Sequence, residues 1–110
     1  MQPGKLNRKI TLQKPEKDVA ASGEAIVTFV SVGEVWADVK PLSGKELYSS
    51  SQRLAQATDE FTIRFRKDLT PEFRIQYQGQ DFNILTVIEI GMRDGLKIVA
   101  ESRAEYRDVN

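Results

Sequence analysis

Apolar and polar residues alternate along most of this chain with a period of two. In "EFTIRFRK" Phe61, Ile63 and Phe65 alternate with Thr62, Arg64 and Arg66. That is the pattern of a strand with one buried and one solvated face. "FRIQYQ" repeats it, with Phe73, Ile75 and Tyr77 turned inward, and Gly79-Gln80 then fits a tight hairpin turn. "DFNILTVIEI" starts in phase at Phe82 and Ile84, slips to Leu85 and Val87, and slips again to Ile88 and Ile90. A strand that changes its buried parity is bulged, bent or covered on both faces, as at a barrel corner. After the turn "GMRDG", Leu96, Ile98 and Ala100 return on a last strand.

The first half carries the same signal more faintly. Ile10 and Leu12 alternate in "RKITLQ", "AIVTFV" is β-rich, and "EVWADVK" sets Val35, Ala37 and Val39 against Trp36 and Asp38. Between the first two runs lies the polar "KPEKDVAASGE", Lys14 to Glu24, which reads as a loop. It exceeds the ~2–5 residues usual for a hairpin. A partner-binding arm and a merely floppy loop both fit it.

One segment breaks the β pattern, from Gly44 to about Ala57. Leu47 and Leu54 are seven apart, as are Tyr48 and Ala55, which places them on one helical stripe. Ser43 and Glu46 have the spacing of a capping box. The same stretch, "KPLSGKELYSS", superficially resembles a phosphate-binding loop at Gly44-Lys45. The first glycine of that motif falls on Val39 and its magnesium-binding hydroxyl on Glu46, whose carboxylate repels phosphate. The cap explains both Ser43 and Glu46, and Lys45 is left as a solvated or intersubunit charge. The expected fold is therefore mainly β: a small antiparallel barrel or sandwich of about six strands. One short α-helix lies between the strands near 34–40 and 58–67. Residues 1–110 read as a single domain, with a long loop near 14–24 and a polar tail near 103–110.

Composition then removes whole classes of chemistry. The chain has neither cysteine nor histidine, so thiol and imidazole nucleophiles, bases and metal ligands are absent. Its 16 basic and 16 acidic residues balance, which argues against nucleic-acid gripping as the main task. The N-terminus has no secretory pattern and "FNILTVIEI" is too short to span a bilayer, so a soluble intracellular protein is expected. The carboxylate pairs Asp59/Glu60 and Glu101/Glu105 read as structural charges, because nothing basic or apolar around them in sequence would tune them. Arg64 and Arg66, with Arg74 nearby, form an outward ridge without interleaved aromatics to stack bases, and an intersubunit ion-pair face suits them equally. Trp36 reads by default as a buried residue closing the other side of the barrel, with an interface anchor as the alternative.

Taken together, "GKLNRKITLQ", Gly23, "EVWADVKPLSGKE", Thr58, "IRFR", Arg74-Ile75, Gly79, "DFNI", Arg93 and Leu96 resemble one family across nearly the whole chain. It is the head–tail joining, or head-closure, family of long-tailed bacteriophages. The resemblance implies a small β-barrel with one short helix and no catalytic residue, cofactor or metal. It also implies a virion subunit, assembled in the bacterial host cytoplasm. Such subunits form a ring, twelvefold like the portal, below the portal or its adaptor, and monomeric when free. They close the DNA-filled capsid, let packaged DNA pass without sequence-specific binding, and offer a docking surface to a tail completion or tail terminator protein. In this family loops and chain ends are mobile in the free subunit and ordered in the ring. The expected contacts are Lys14, Lys17 and Asp18 in the long loop, Lys45 and Arg53 on the helix, Arg64 and Arg66 on their strand, and Arg93 and Asp94 in the last turn. The rival reading is a small oligonucleotide-binding-type barrel that takes single-stranded nucleic acid.

Overall fold

The computed structural model describes residues 6–42 and 57–103, and in them every regular element is a strand. These are β1 (Arg8–Val19), β2 (Ala25–Pro41), β3 (Asp59–Arg64), β4 (Arg74–Tyr77), β5 (Gln80–Ile90) and β6 (Gly95–Ser102). They close into an antiparallel barrel in the order β1-β2-β3-β6-β5-β4. The barrel expected from the alternation is therefore present. Ser43, Lys45, Glu46 and Arg53 lie outside the described residues, and so does the expected helix.

Closure follows from the parity of the apolar residues. Ile10, Leu12, Ala37, Phe61, Ile63, Ile75, Phe82, Ile84, Leu96, Ile98 and Ala100 all turn inward and are buried. Phe61 is the hub: its ring meets Phe82 edge-on at 5.1 Å and Tyr77 at 6.0 Å. Leu69 and Phe73, from the segment between β3 and β4, join the same core. Burying such side chains stabilises by roughly 1.5–3 kcal/mol each.

The bulge expected in "DFNILTVIEI" is present once. Register shifts between Ile84 and Thr86 against β6, so Leu85 is the extra residue. Leu85 leaves the main core and packs with Ala57, Val99 and Leu42 in a second cluster, while Val87 comes back to the first. The second slip does not occur: pairing runs unbroken from Thr86 to Ile90, and Ile88 is left 42% exposed.

Three further expectations are corrected. "AIVTFV" and "EVWADVK" are one 17-residue strand, β2, bent by a bulge opposite Leu12/Gln13. At the bulge Gly33 takes φ 136°, which a side chain would resist. The turn between β4 and β5 is Gln78-Gly79, not Gly79-Gln80, because Tyr77 pairs with Gln80. Both central residues have positive φ, 53° and 76°, as a type I′ hairpin requires. Finally, the segment read as a loop from Lys14 to Glu24 is strand as far as Val19, and only residues 20–24 turn. β1 and β2 stay paired from Gln13/Ser31 to Val19/Ala25, after β1 has left β4 at Gln13. They form a two-stranded arm projecting from the barrel. Sequence periodicity missed it because neither face of the arm packs on the core, so "KPEKDV" carries no apolar alternation.

Candidate interaction surface

Trp36 points outward from β2 and is 53% exposed. The default expectation of a buried tryptophan is thus corrected: Val35 and Ala37 turn toward the core, which leaves Trp36 on the outer face. Lys9 lies directly opposite Trp36 in the β1–β2 register. Its Nζ sits 4.9 Å from the indole centroid and 3.8 Å from Glu34 Oε1. On the other flank, the β2–β3 register continued past Asp38/Thr62 brings Arg64 beside Trp36. The two line a recess with Leu6 and Asn7, and an adjoining one with Val35, Phe65 and Arg66.

An aromatic ring therefore does lie among the basic residues, contrary to the sequence reading. Arg64 is exposed, while Arg66 is already committed. The Arg66 guanidinium donates a fork of hydrogen bonds to Asp68, Nε to Oδ1 at 3.0 Å and the terminal nitrogen to Oδ2 at 2.9 Å. This fork holds the Asp68 carboxyl below the usual carboxylate range, with Lys14 adding a smaller pull. Arg93 rises from the last turn to lie over Phe65, 5.6 Å from its centroid. Its backbone N–H donates to Glu89 Oε2 at 3.2 Å. Beside it Met92 is 91% exposed, an apolar tip on a charged turn with Asp94. The fold thus gathers Trp36, Arg64, Arg66, Phe65 and Arg93 at one part of the wall.

Lys17 and Asp18 lie elsewhere, exposed along the arm, while Lys14, also exposed, stays within electrostatic reach of Asp68. Directly opposed residues share a face, so Val19, Lys17 and Pro15 lie with Ala25, Val27 and Phe29. Val19 and Val27 are 68% and 52% exposed. At the arm's base the Arg74 guanidinium covers the Phe29 ring at 3.8 Å. Burial and the neighbouring Arg103 push the Arg74 pKa down, against the pull of Asp81.

The carboxylate pair Asp59/Glu60 is not placed as expected for untuned charges. Asp59 is half-buried, and burial raises its pKa against a hydrogen bond from Thr58. Thr58 Oγ1 also accepts the Ser102 N–H at 2.8 Å. Glu60 faces Val99 across β3–β6 and is buried. Among the described residues no group of three or more histidine, cysteine or acidic side chains converges as a metal site would require.

What decides the family is sequence matched over nearly the whole barrel: residues 1–103 fit the phage head completion protein family. The chain belongs to that family. A curated relative, the head completion protein gp7 of Enterobacteria phage HK97, is 30% identical over 90 residues, 77% of this chain and 80% of the relative. The solution structure of protein SF1141 from Shigella flexneri 2a is 32% identical with a TM-score of 0.79, covering 96% of this chain and 99% of that one. A chain from the virion of a native gene transfer agent particle is 26% identical with a TM-score of 0.65, covering 88% and 94%. Head completion membership makes this a structural protein of virion assembly. Trp36 is the residue on which sequence reasoning went furthest astray, although its parity already pointed outward. What the sequence could not supply was that Trp36 stays 53% exposed on that face.

Proposed function

We propose that this chain is a ring-forming connector subunit. It closes the DNA-filled capsid below the portal or its adaptor and presents the surface on which the tail docks. The observation that carries the reading is the head completion match over residues 1–103. The surface chemistry supports it: an exposed tryptophan flanked by Lys9 and Arg64 is the kind of anchor that protein interfaces use. In this reading Trp36, Arg64, Arg66 and Arg93 meet a neighbouring subunit, and Met92 with Asp94 reaches the next tier. Lys14, Lys17 and Asp18 on the arm contact a copy or partner beyond the barrel's own radius. Lys45 and Arg53 are assigned to the interface on sequence grounds. The ring is twelvefold, and packaged DNA passes through it without base-specific contacts. The test is DNA retention. Filled heads made without the protein should lose their DNA to added nuclease, and the purified chain should restore protection and tail attachment. Heads that stay nuclease-sensitive with the chain bound would refute the closure role.

One observation favours the second reading, single-stranded nucleic-acid binding: Trp36 lies between Lys9 and Arg64. Lys9 is already paired with Glu34, and one ring stacks one base. Salt-sensitive binding of single-stranded oligonucleotides, lost in Trp36→Ala, would favour that reading over the connector.

A further inference from the structure

Around Trp36, Lys9 is paired with Glu34 and Arg66 with Asp68. Arg64 is not paired: it is exposed, and among the described residues no carboxylate lies within ion-pair distance of it. It lines a recess with Trp36, Leu6 and Asn7. Such a recess suits a carboxylate beside an apolar side chain, the first for the guanidinium and the second for the indole.

The same chain carries that combination on its arm. Glu16 is paired with Thr28 and Asp18 with Ile26, so all four share one face. Glu16 and Asp18 are exposed, Ile26 is 41% exposed, and among the described residues neither carboxylate is in an ion pair. Asp18 Oδ1 accepts the Val19 N–H at 2.7 Å, which leaves its second oxygen and the Glu16 carboxylate for another partner. Lys14 also lies on that face, nearer the barrel, where Asp68 of its own chain offsets it. The arm's other face sets Lys17 among Val19, Val27 and Phe29 with no carboxylate, so it is the wrong face for Arg64. Nor can the arm reach the recess of its own barrel. Roughly 30 Å of extended chain separates Ile26 from Trp36 on the same strand.

We infer that the acidic face of one copy's arm, Glu16 and Asp18 with Ile26, seats in the Trp36–Arg64 recess of the next copy in the ring. The carboxylates meet Arg64, and Ile26 covers the indole. The contact joins two different surfaces of the chain and is therefore heterologous. Each copy gives an arm and receives one, and repetition about an axis closes a ring. A contact of a few side chains is too small to hold two free copies together, so it forms when the head gathers the subunits. The inference rests on the connector reading and specifies which surfaces that ring joins.

The test uses the full chain and DNA-filled heads lacking it. Arg64→Glu should weaken addition to heads about tenfold, and so should Glu16→Arg combined with Asp18→Arg. All three substitutions together restore opposite charges and should bring addition back toward that of the parent. Recovery also shows that the variants fold. Because the chain has no native cysteine, Asn7→Cys at the recess and Thr28→Cys on the arm face can be joined by a short bismaleimide. On heads the doubly substituted chain should give a ladder of covalent multimers, and either substitution alone should give none. If the unmodified chain adds no ring to heads, the connector reading fails and the inference falls with it. A ring that forms with Arg64→Glu undiminished, with no recovery on charge exchange, or with no ladder overturns the inference alone. A different virion protein occupying the recess would give that last result.

Discussion

The guanidinium of Arg74 lies over the ring of Phe29, 3.8 Å from its centroid, and ties the base of the β1–β2 arm to β4. A two-stranded ribbon alone is marginal in water, so this contact does much to hold the arm's direction. Arg74 is itself drawn toward Asp81, at 4.0 Å. A cation over a partly desolvated ring is worth about 0.5–2 kcal/mol. Arg74→Ala should therefore speed hydrogen exchange at Thr28 and Val30 several-fold while leaving the amides of β3 and β6 protected. Unchanged exchange in the arm would contradict this anchoring.

Phe61 and Trp36 should respond in opposite ways to truncation. Phe61 is fully buried among Phe82 and Tyr77, so Phe61→Ala should cost about 3–5 kcal/mol in urea unfolding. Trp36 is largely exposed, so Trp36→Ala should change stability by less than about 1 kcal/mol. Under the connector reading it should nonetheless abolish addition to heads. A large loss of stability in Trp36→Ala would mean that the residue serves the fold.

The Gln78-Gly79 turn can be checked separately from the core. Nothing lies within 4 Å of where a Gly79 Cβ would sit, so the cost of Gly79→Ala is conformational alone. At φ 76° that cost should be about 1–2 kcal/mol. Gln78→Asn, which suits the left-handed region better, should stabilise slightly. If both variants unfold like the parent, the turn is placed wrongly.

Asp59 gives a pH dependence of definite sign. Burial raises its pKa above 3.8, so the folded state holds the proton more tightly than the unfolded chain does. Its charge is a cost to stability at neutral pH, relieved as pH falls through the raised pKa toward 3.8. Asp59→Asn, keeping an acceptor for Thr58, should raise Tm by about 1–3 °C at neutral pH. The gain should vanish below the ordinary carboxylate range. A gain that grows on acidification would reverse the assignment.

These residues also mark how much the sequence disclosed. Where one face packs on the core, as at Phe61/Ile63 or Ile98/Ala100, period-two alternation located the strand and its inward face. The Leu85 bulge was visible as a change of parity. The arm was not, because a strand solvated on both faces needs no alternation, and Lys14 to Val19 look like loop. The surface was half legible. Arg64, Arg66 and Arg93 were singled out, but nothing local in sequence brings Arg93 over Phe65 or Lys9 over Trp36; barrel closure does that.

In the proposed role this head completion family member occupies the portal vertex as a ring. Electron microscopy of DNA-filled, portal-containing heads lacking the protein, with and without the purified chain, tests it most directly. The proposed role requires a new ring-shaped density below the portal or its adaptor, into which the six-stranded barrel fits with Trp36 at a subunit boundary. Heads that gain no density at that vertex from a folded chain in excess would contradict it.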